Sequence, residues 1–468
     1  MLFIPGQPLP ARSSRHHGIA MTASRLLIVC LAWLSCGALG VAIAPAACGE
    51  DWPQFRGPRG DGSVTGGPLA VEWGEGQNVT WTAAVPGKGH SSPVVADGLV
   101  WLSTAVAEEL SAEEKAARLA EIANPQGLEL AGQVSLRLLA FDQATGEKRF
   151  DVELFRPESL EPIHHTNTYA SPTPVLAGGQ VFVHFGTYGS ACVDAKSGEI
   201  VWRNDELKVE HQNGPGSSPI VWQDRMISHY DGVDRQFIAA LRTDNGQVAW
   251  LTERSGTLSD KIDQKKAYCT PALVETPRGP ELVSPGADWV YGYDPASGKE
   301  LWKAAYGELG FSTVPKPVIG HGLAYVCTSF MRSRLLAVRY GGSGDVTATH
   351  IAWASDSQIP KKPSLMLVGD DLFMANDTGI VSCFDALTGK EIWRERIGGN
   401  FSASPLFHGG LIYLFSEEGK TTVIRAARKF EVVAENVLGD GFTASPAAVD
   451  GSLFLRGQTA LYRVDPPK

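Results

Sequence analysis

The phrase Phe384-Asp385-Ala386-Leu387-Thr388-Gly389-Lys390-Glu391-Ile392-Trp393 constrains this chain more than any other feature, because it recurs. It returns at residues 193–202 and 293–302, and in looser form at 141–150 and 242–250. Each copy reads as strand, tight turn, strand. The Asp (Thr243 in the loosest copy) caps the turn, and the Gly takes the positive φ that a Cβ resists. Apolar and β-branched residues flank the turn, as a hairpin requires. The glycines 146, 198, 246, 298 and 389 are spaced by 52, 48, 52 and 91 residues, and a degenerate copy around Gly344, ending at Trp353, fills the long gap. A period of about 45 residues with several strands per unit predicts propeller blades.

A second marker counts the blades. Pro93, Pro174, Pro219, Pro271, Pro317, Pro363, Pro405 and Pro446 each open an apolar stretch, and in six of the eight a Ser or Thr comes just before. Proline is tolerated at the first residue of a strand and on an edge strand, and the innermost strand of a blade is such an edge. The expected fold is therefore all-β: an eight-bladed β-propeller of four-stranded antiparallel blades over residues 78–468. The eighth blade holds only three strands before Asp465, and Asn78–Thr82 supplies the missing outer one. The ring then closes with both chain ends in one blade. The indoles of Trp81, Trp202, Trp250, Trp302, Trp353 and Trp393 share one expected role, packing between neighbouring blades. The first blade carries an insertion over 107–133. Within it Ser111–Ile122 reads as a short capped helix. Gly 51 and Pro 29 suit so turn-dense a protein.

Residues 1–46 read as a signal peptide: Arg25, an uncharged apolar run, and a small-residue exit at Ala44-Pro45-Ala46. The polar stretch before it suggests Met21 as the true start. The run also reaches spanning length, which leaves a retained anchor as the alternative. Export places the chain in the periplasm or at the outer membrane. A lipid anchor at Cys48 is the membrane attachment the sequence offers, although the usual aliphatic residue upstream is missing. Residues 47–77 form a lead-in expected to pack Trp52 and Phe55 on the propeller side. Beyond Cys48 stand Cys192, Cys269, Cys327 and Cys383, with no CxxC spacing and no adjacent pair to make a disulfide framework; Cys192 and Cys383 hold the same place in separate repeats and read as buried small hydrophobes. The net charge of −10 becomes more negative when Arg12, Arg15 and Arg25 leave with the leader, which argues against nucleic acid or anionic membrane as partner.

GxSxG, HExxH, P-loop and EF-hand motifs are absent, and no catalytic residue is assigned. Asp231, Asp234, Asp370 and Asp371 read as turn residues rather than calcium ligands. What remains is the set of loops before the opening strands, which converge on one mouth of the central channel. The candidate ligand-binding residues there are His90, His164, His165, Asn167, Tyr169, His211, Lys266, Tyr268 and Lys362, with Arg332 from a second loop on the same end. This mixture would give a partly basic mouth on an acidic protein, suited to an acidic ligand or extended acidic peptide. His164, His165 and His211 come from adjacent blades; they either approach a common metal or bond the connecting backbone, and the backbone is the expectation.

The repeated Asp-Ala-x-Thr-Gly-Lys-x-x-Trp phrase resembles the pyrroloquinoline-quinone (PQQ) repeat of quinoprotein dehydrogenases and BamB-like outer-membrane assembly lipoproteins. The resemblance covers about residues 50–468, and the opening Asp51–Pro58 is similar to that of other exported members. In the dehydrogenases it implies PQQ on the propeller axis, covered by an adjacent-Cys disulfide, stacked on a Trp and bridged by Ca²⁺ to acids. This sequence lacks the adjacent Cys pair, so no cofactor is expected, and PQQ with calcium is the alternative. The resemblance thus implies a monomeric, non-catalytic exported scaffold for protein partners in the envelope. A PQQ-dependent oxidoreductase and a small-ligand-binding propeller are the other readings.

Overall fold

Eight short strands follow the eight prolines and line the axis: Val94–Ala96, Val175–Ala177, Ile220–Trp222, Ala272–Thr276, Val318–Gly320, Met366–Val368, Leu406–His408 and Ala447–Val449. Each begins an antiparallel sheet whose strands follow in chain order. These features come from a computed structural model, which describes residues 50–122, 125–307 and 310–467. The leader, Met21 and Cys48 lie outside the described residues. The eighth sheet takes its outer strand from the other end of the chain: Val79–Ala84 pairs with Ala460–Val464, placing Trp81 opposite Arg463. The propeller has eight blades and is closed by its N-terminal strand.

The repeated phrase does two jobs. Within a blade, Asp385 accepts hydrogen bonds from the Thr388 N–H and hydroxyl at 3.0 and 2.8 Å, and Gly389 adopts φ +70°. Between blades, the outer-strand indole of one blade lies over the turn glycine of the next and donates to a carbonyl of that turn. Trp81 reaches Gln143 (3.1 Å), Trp202 reaches Thr243 (2.8 Å), Trp250 reaches Pro295 (3.1 Å) and Trp353 reaches Ala386 (3.0 Å). A Cβ on Gly298 would collide with the Trp250 ring, and that residue also sits at φ +71°. Gly298→Ala is therefore expected to cost about 2–3 kcal/mol in chemical denaturation, strain and overpacking adding together.

Trp302 packs between the fourth and fifth blades as expected, but without a turn to cover. The fifth blade has no tight hairpin turn to receive it, because the connection around Gly344, between Leu335–Arg339 and Ile351–Ser355, is a long one that carries a short helix. Gly344–Asp345 instead adds a fifth, parallel strand to the fourth blade, opposite Trp302 and Lys303. Trp302 is fully buried in a cluster shared with Val326 and Leu336 of the fifth blade, and it donates to Glu281 Oε2 of its own blade at 2.8 Å.

The Ser and Thr residues before the prolines, with Ser364 just after Pro363, form a belt. The Ser92 N–H donates to Thr173 Oγ1, Thr173 to Ser218 Oγ and Ser218 to Thr270 Oγ1, at 2.9–3.0 Å. On the other side Lys316, Ser364 and Ser404 donate in turn to Ser364, Ser404 and Ser445. Each bond joins one blade to the next. At Lys316 the belt carries a lysine where its neighbours carry a hydroxyl.

The lead-in does not pack on the propeller side. Trp52 exchanges both backbone hydrogen bonds with Val95 at 2.8 Å, Pro53 accepts from Leu176, and Phe407 bonds Gly62 and Val64. Val95, Leu176 and Phe407 belong to the inner strands of blades one, two and seven, so residues 52–64 thread the central channel. Trp52 is 1% exposed, and its ring lies against Gly57. This placement follows from the unmet hydrogen-bonding groups of the inner edge strands, which a lead-in segment can satisfy.

In the insertion the helix spans Ala112–Ala120, with Ser111 and Glu114 forming a capping box. It buries no side chain and decorates the first blade. Leu128–Glu129 then pairs with Ile163–His164.

Candidate functional site

Each blade crosses the ring four times, so the loops entering the inner strands gather on one face with the loops between second and third strands. The Asp-Gly turns lie on the other face. Every candidate residue falls on the loop face, but they divide into two groups and a remainder.

The first group joins blades one, six, seven and eight. Lys362 Nζ meets Glu417 Oε1 at 2.7 Å, and Ser402 Oγ donates to the same carboxylate. His90 stands close by. Burial, with Arg456 beside it, pushes its pKa down to about 4, so it is neutral at physiological pH. Arg456 ends the second strand of blade eight and is 2% exposed. Its Nη1 serves the Ser91 carbonyl and hydroxyl and the Ser103 carbonyl, at 2.6–3.0 Å.

The second group joins blades two, three and four, and most of it is spent on structure. His165 Nδ1 lies 3.2 Å from the Gly127 carbonyl, and His164 Nδ1 lies 2.8 Å from Thr166 Oγ1. His211 is buried and its Nε2 accepts the Thr187 N–H at 3.0 Å. The three histidines do not converge on one point; His165 and His211 bond backbone. Asn167 donates to the carbonyls of Asn213 and Pro215, Tyr169 is buried with its hydroxyl on the Glu161 carbonyl, and Tyr268 reaches the His211 carbonyl. Lys266 is 6% exposed and donates to Gln212 and to the Asp263 carbonyl.

Glu161, which sequence reasoning passed over, ties this group together by accepting the His211 N–H at 3.0 Å. Burial raises its pKa to about 7. The folded state therefore binds this proton more tightly than the unfolded chain does. Its contribution to stability is present at low pH and is lost as pH rises from the ordinary carboxylate range through 7. Glu161→Gln should remove that dependence and stabilise the protein by about 1–2 kcal/mol at pH 8, measured by urea unfolding across pH.

Arg332 stands apart, exposed and paired with Asp356. Beside it are two residues that no motif announced: Phe330 and Met331, 56% and 58% exposed at the tip of their loop. Lys361 Nζ lies 5.9 Å from the centre of the Phe330 ring. The available signal was a Phe-Met pair inside a Ser/Arg loop, where a solvated turn has no use for large apolar side chains. Between blades six and seven the same face holds a cavity of about 530 Å³, lined by Thr378, Asn400, Ser416, Glu418 and Lys420 among others.

The features that the PQQ resemblance implies are not assembled here. The four described cysteines are buried and unpaired on separate blades. Among the described residues no three His, Cys, Asp or Glu side chains gather around a point that would hold a cation. The outer-strand indoles are committed to neighbouring turns or, for Trp302, to Glu281, and the channel at the level of the inner strands holds residues 52–64. The residues present therefore do not fit PQQ bridged by calcium.

Comparison with known proteins gives the fold a family. The family model described as outer membrane protein assembly factor BamB matches residues 107–279 and 286–433. BamB from Moraxella catarrhalis superposes with a TM-score of 0.53 at 13% identity, covering 82% of this chain and 99% of that one. A europium-containing methanol dehydrogenase superposes at 0.61 with 11% identity, covering 88% and 90%. Quinohemoprotein alcohol dehydrogenase ADH-IIG of Pseudomonas putida is 21% identical over 245 residues, 47% of this chain. This chain spans about a third (31%) of that relative's length. At such identities the two structures speak for the propeller alone. The family match covers most of the blades, and with the repeated turns and indoles on the page the conclusion is direct: this chain belongs to the PQQ-repeat β-propeller family whose model is described as outer membrane protein assembly factor BamB.

Proposed function

We propose that this protein is an exported, non-catalytic propeller that presents its loop face to protein partners in the cell envelope, serving there as a scaffold in the assembly of envelope or outer-membrane proteins. The observation that carries the reading is the Phe330–Met331 tip, more than half exposed, with Lys361 and Arg332 beside it. Large exposed apolar side chains flanked by Lys361 and by the Arg332–Asp356 pair are what the centre of a protein interface requires, and they suit a partner strand or helix with an apolar face and an acid for Lys361. The mouth residues His90, Lys362, His164, His165 and Tyr268 would form the polar surround. The family's description as an assembly factor supports the same reading.

A photo-crosslinking residue at position 331 should capture a discrete envelope protein. The same residue at Leu387, 51% exposed on the opposite face, should capture none. Equal capture from both positions, or none from either, sinks the scaffold reading. The second reading, a PQQ-dependent oxidoreductase, draws on the likeness to methanol dehydrogenase. Protein incubated with PQQ and calcium and then desalted should carry no cofactor absorbance; retained absorbance with dye-linked alcohol oxidation would favour that reading instead.

A further inference from the structure

The channel segment brings two cations together inside the molecule. Arg56 is 2% exposed and Lys316 is 5% exposed. Arg56 also holds φ +66°, a left-handed conformation that a side chain disfavours. Its Nη2 donates to the carbonyls of Asp61 and Leu365, which leaves Nε and Nη1 buried without a partner. Lys316 occupies the belt position where other blades place a hydroxyl. Its Nζ rests so close to Gly60 that a Cβ there would collide with it, and it donates no hydrogen bond to any described residue. Burial and the neighbouring Arg56 hold its pKa down at about 8. Asp61 is the one carboxylate that acts on both cations. That carboxylate is already engaged, accepting from the Ser63 N–H and hydroxyl at 2.8 and 2.7 Å. Two buried cations face one acid, and three of their donor atoms are unused. A buried, unpaired charge of this kind is expensive unless something compensates it.

We propose that Arg56 and Lys316 form a binding site on the propeller axis for a small monovalent anion of the halide class. The ion receives hydrogen bonds from one of the free Arg56 N–H groups and from Lys316 Nζ, and it cancels the one positive charge that Asp61 leaves over. It joins the lead-in to the inner strands of blades five and six, which makes it a part of how the channel segment is held. The site stands independently of any partner on the loop face.

The test uses the full mature chain. Thermal unfolding is followed while bromide replaces gluconate at constant ionic strength. The melting temperature should climb by about 2–4 °C and then level off, as a saturable site requires. Lys316→Met keeps the length of the side chain without its charge and should abolish the rise; Arg56→Met provides the second variant should the first fail to fold. Crystals grown in bromide should show an anomalous peak between Arg56 and Lys316. A flat response in the native protein, an equal rise in both variants, or anomalous peaks at the surface alone would overturn the proposal.

Discussion

Trp52→Ala should lower the free energy of unfolding by about 3–5 kcal/mol, the range for removing a large buried aromatic ring. Trp52 is packed in the core shared by the first, seventh and eighth blades, with Val95, Val100, Leu406 and Leu453 in the same cluster. Its Nε1 has no hydrogen-bond partner, so the loss is one of packing alone. Trp52→Phe should accordingly recover most of the stability, losing about 1–1.5 kcal/mol. Urea unfolding of the two variants measures both. A loss below about 1 kcal/mol for the alanine variant would mean that the channel segment is an ornament rather than part of the core.

A loss of similar size is expected from Asp231→Asn. Arg254 and Asp231 form a two-pronged ion pair with side chains 1% and 0% exposed, with Arg254 Nη2 and Asp231 Oδ2 2.7 Å apart. The guanidinium also reaches Ser284 Oγ at 3.0 Å and lies 5.0 Å from the centre of the Tyr291 ring. Ser284 in turn meets His229 Nε2 at 2.8 Å, and His229 Nδ1 faces the Cys269 carbonyl at 2.8 Å. One ion pair thus organises a polar network between the third and fourth blades. Neutralising the acid strands a buried cation, at a cost of about 3–5 kcal/mol. The double variant Asp231→Leu with Arg254→Met should regain much of this, because a matched apolar pair leaves no uncompensated charge. If the single variant were as stable as the native protein, the pair would have to be neutral or solvated, contrary to its burial.

The blades were legible because their signals are local. Asp385, Thr388 and Gly389 define a turn within five residues, and each proline marks the start of a strand next to it in sequence. Even the Ser and Thr residues before the prolines, visible as a bare pattern, have a physical role in the belt. The lead-in was not legible, because its partners are remote: Arg56 donates to the Leu365 carbonyl 309 residues away, and no periodicity in residues 51–64 points there. The hydrogen-bond partner of Trp302 was not legible for a related reason, since it depends on the tight turn that the next blade lacks. On the loop face, sequence placed the residues on the correct end of the ring but could not tell side chains that face solvent from those that hold the loops together. His211, Tyr169 and Lys266 are of the second kind. Phe330 and Met331 are of the first, and a two-residue apolar pair is too short to carry a periodic signal.

The pairing of Val79–Ala84 with Ala460–Val464 also dictates an order of events. A chain made from its N-terminus holds one strand of the last sheet from the outset and receives its other three only when residues 447–464 arrive. Throughout that interval two raw sheet edges stand open to any passing strand, so a holding chaperone has most to do just before the tail emerges. Ribosomes stalled short of residue 447 should hold protease-sensitive chains, and a permuted gene that begins between two complete blades should shorten that window.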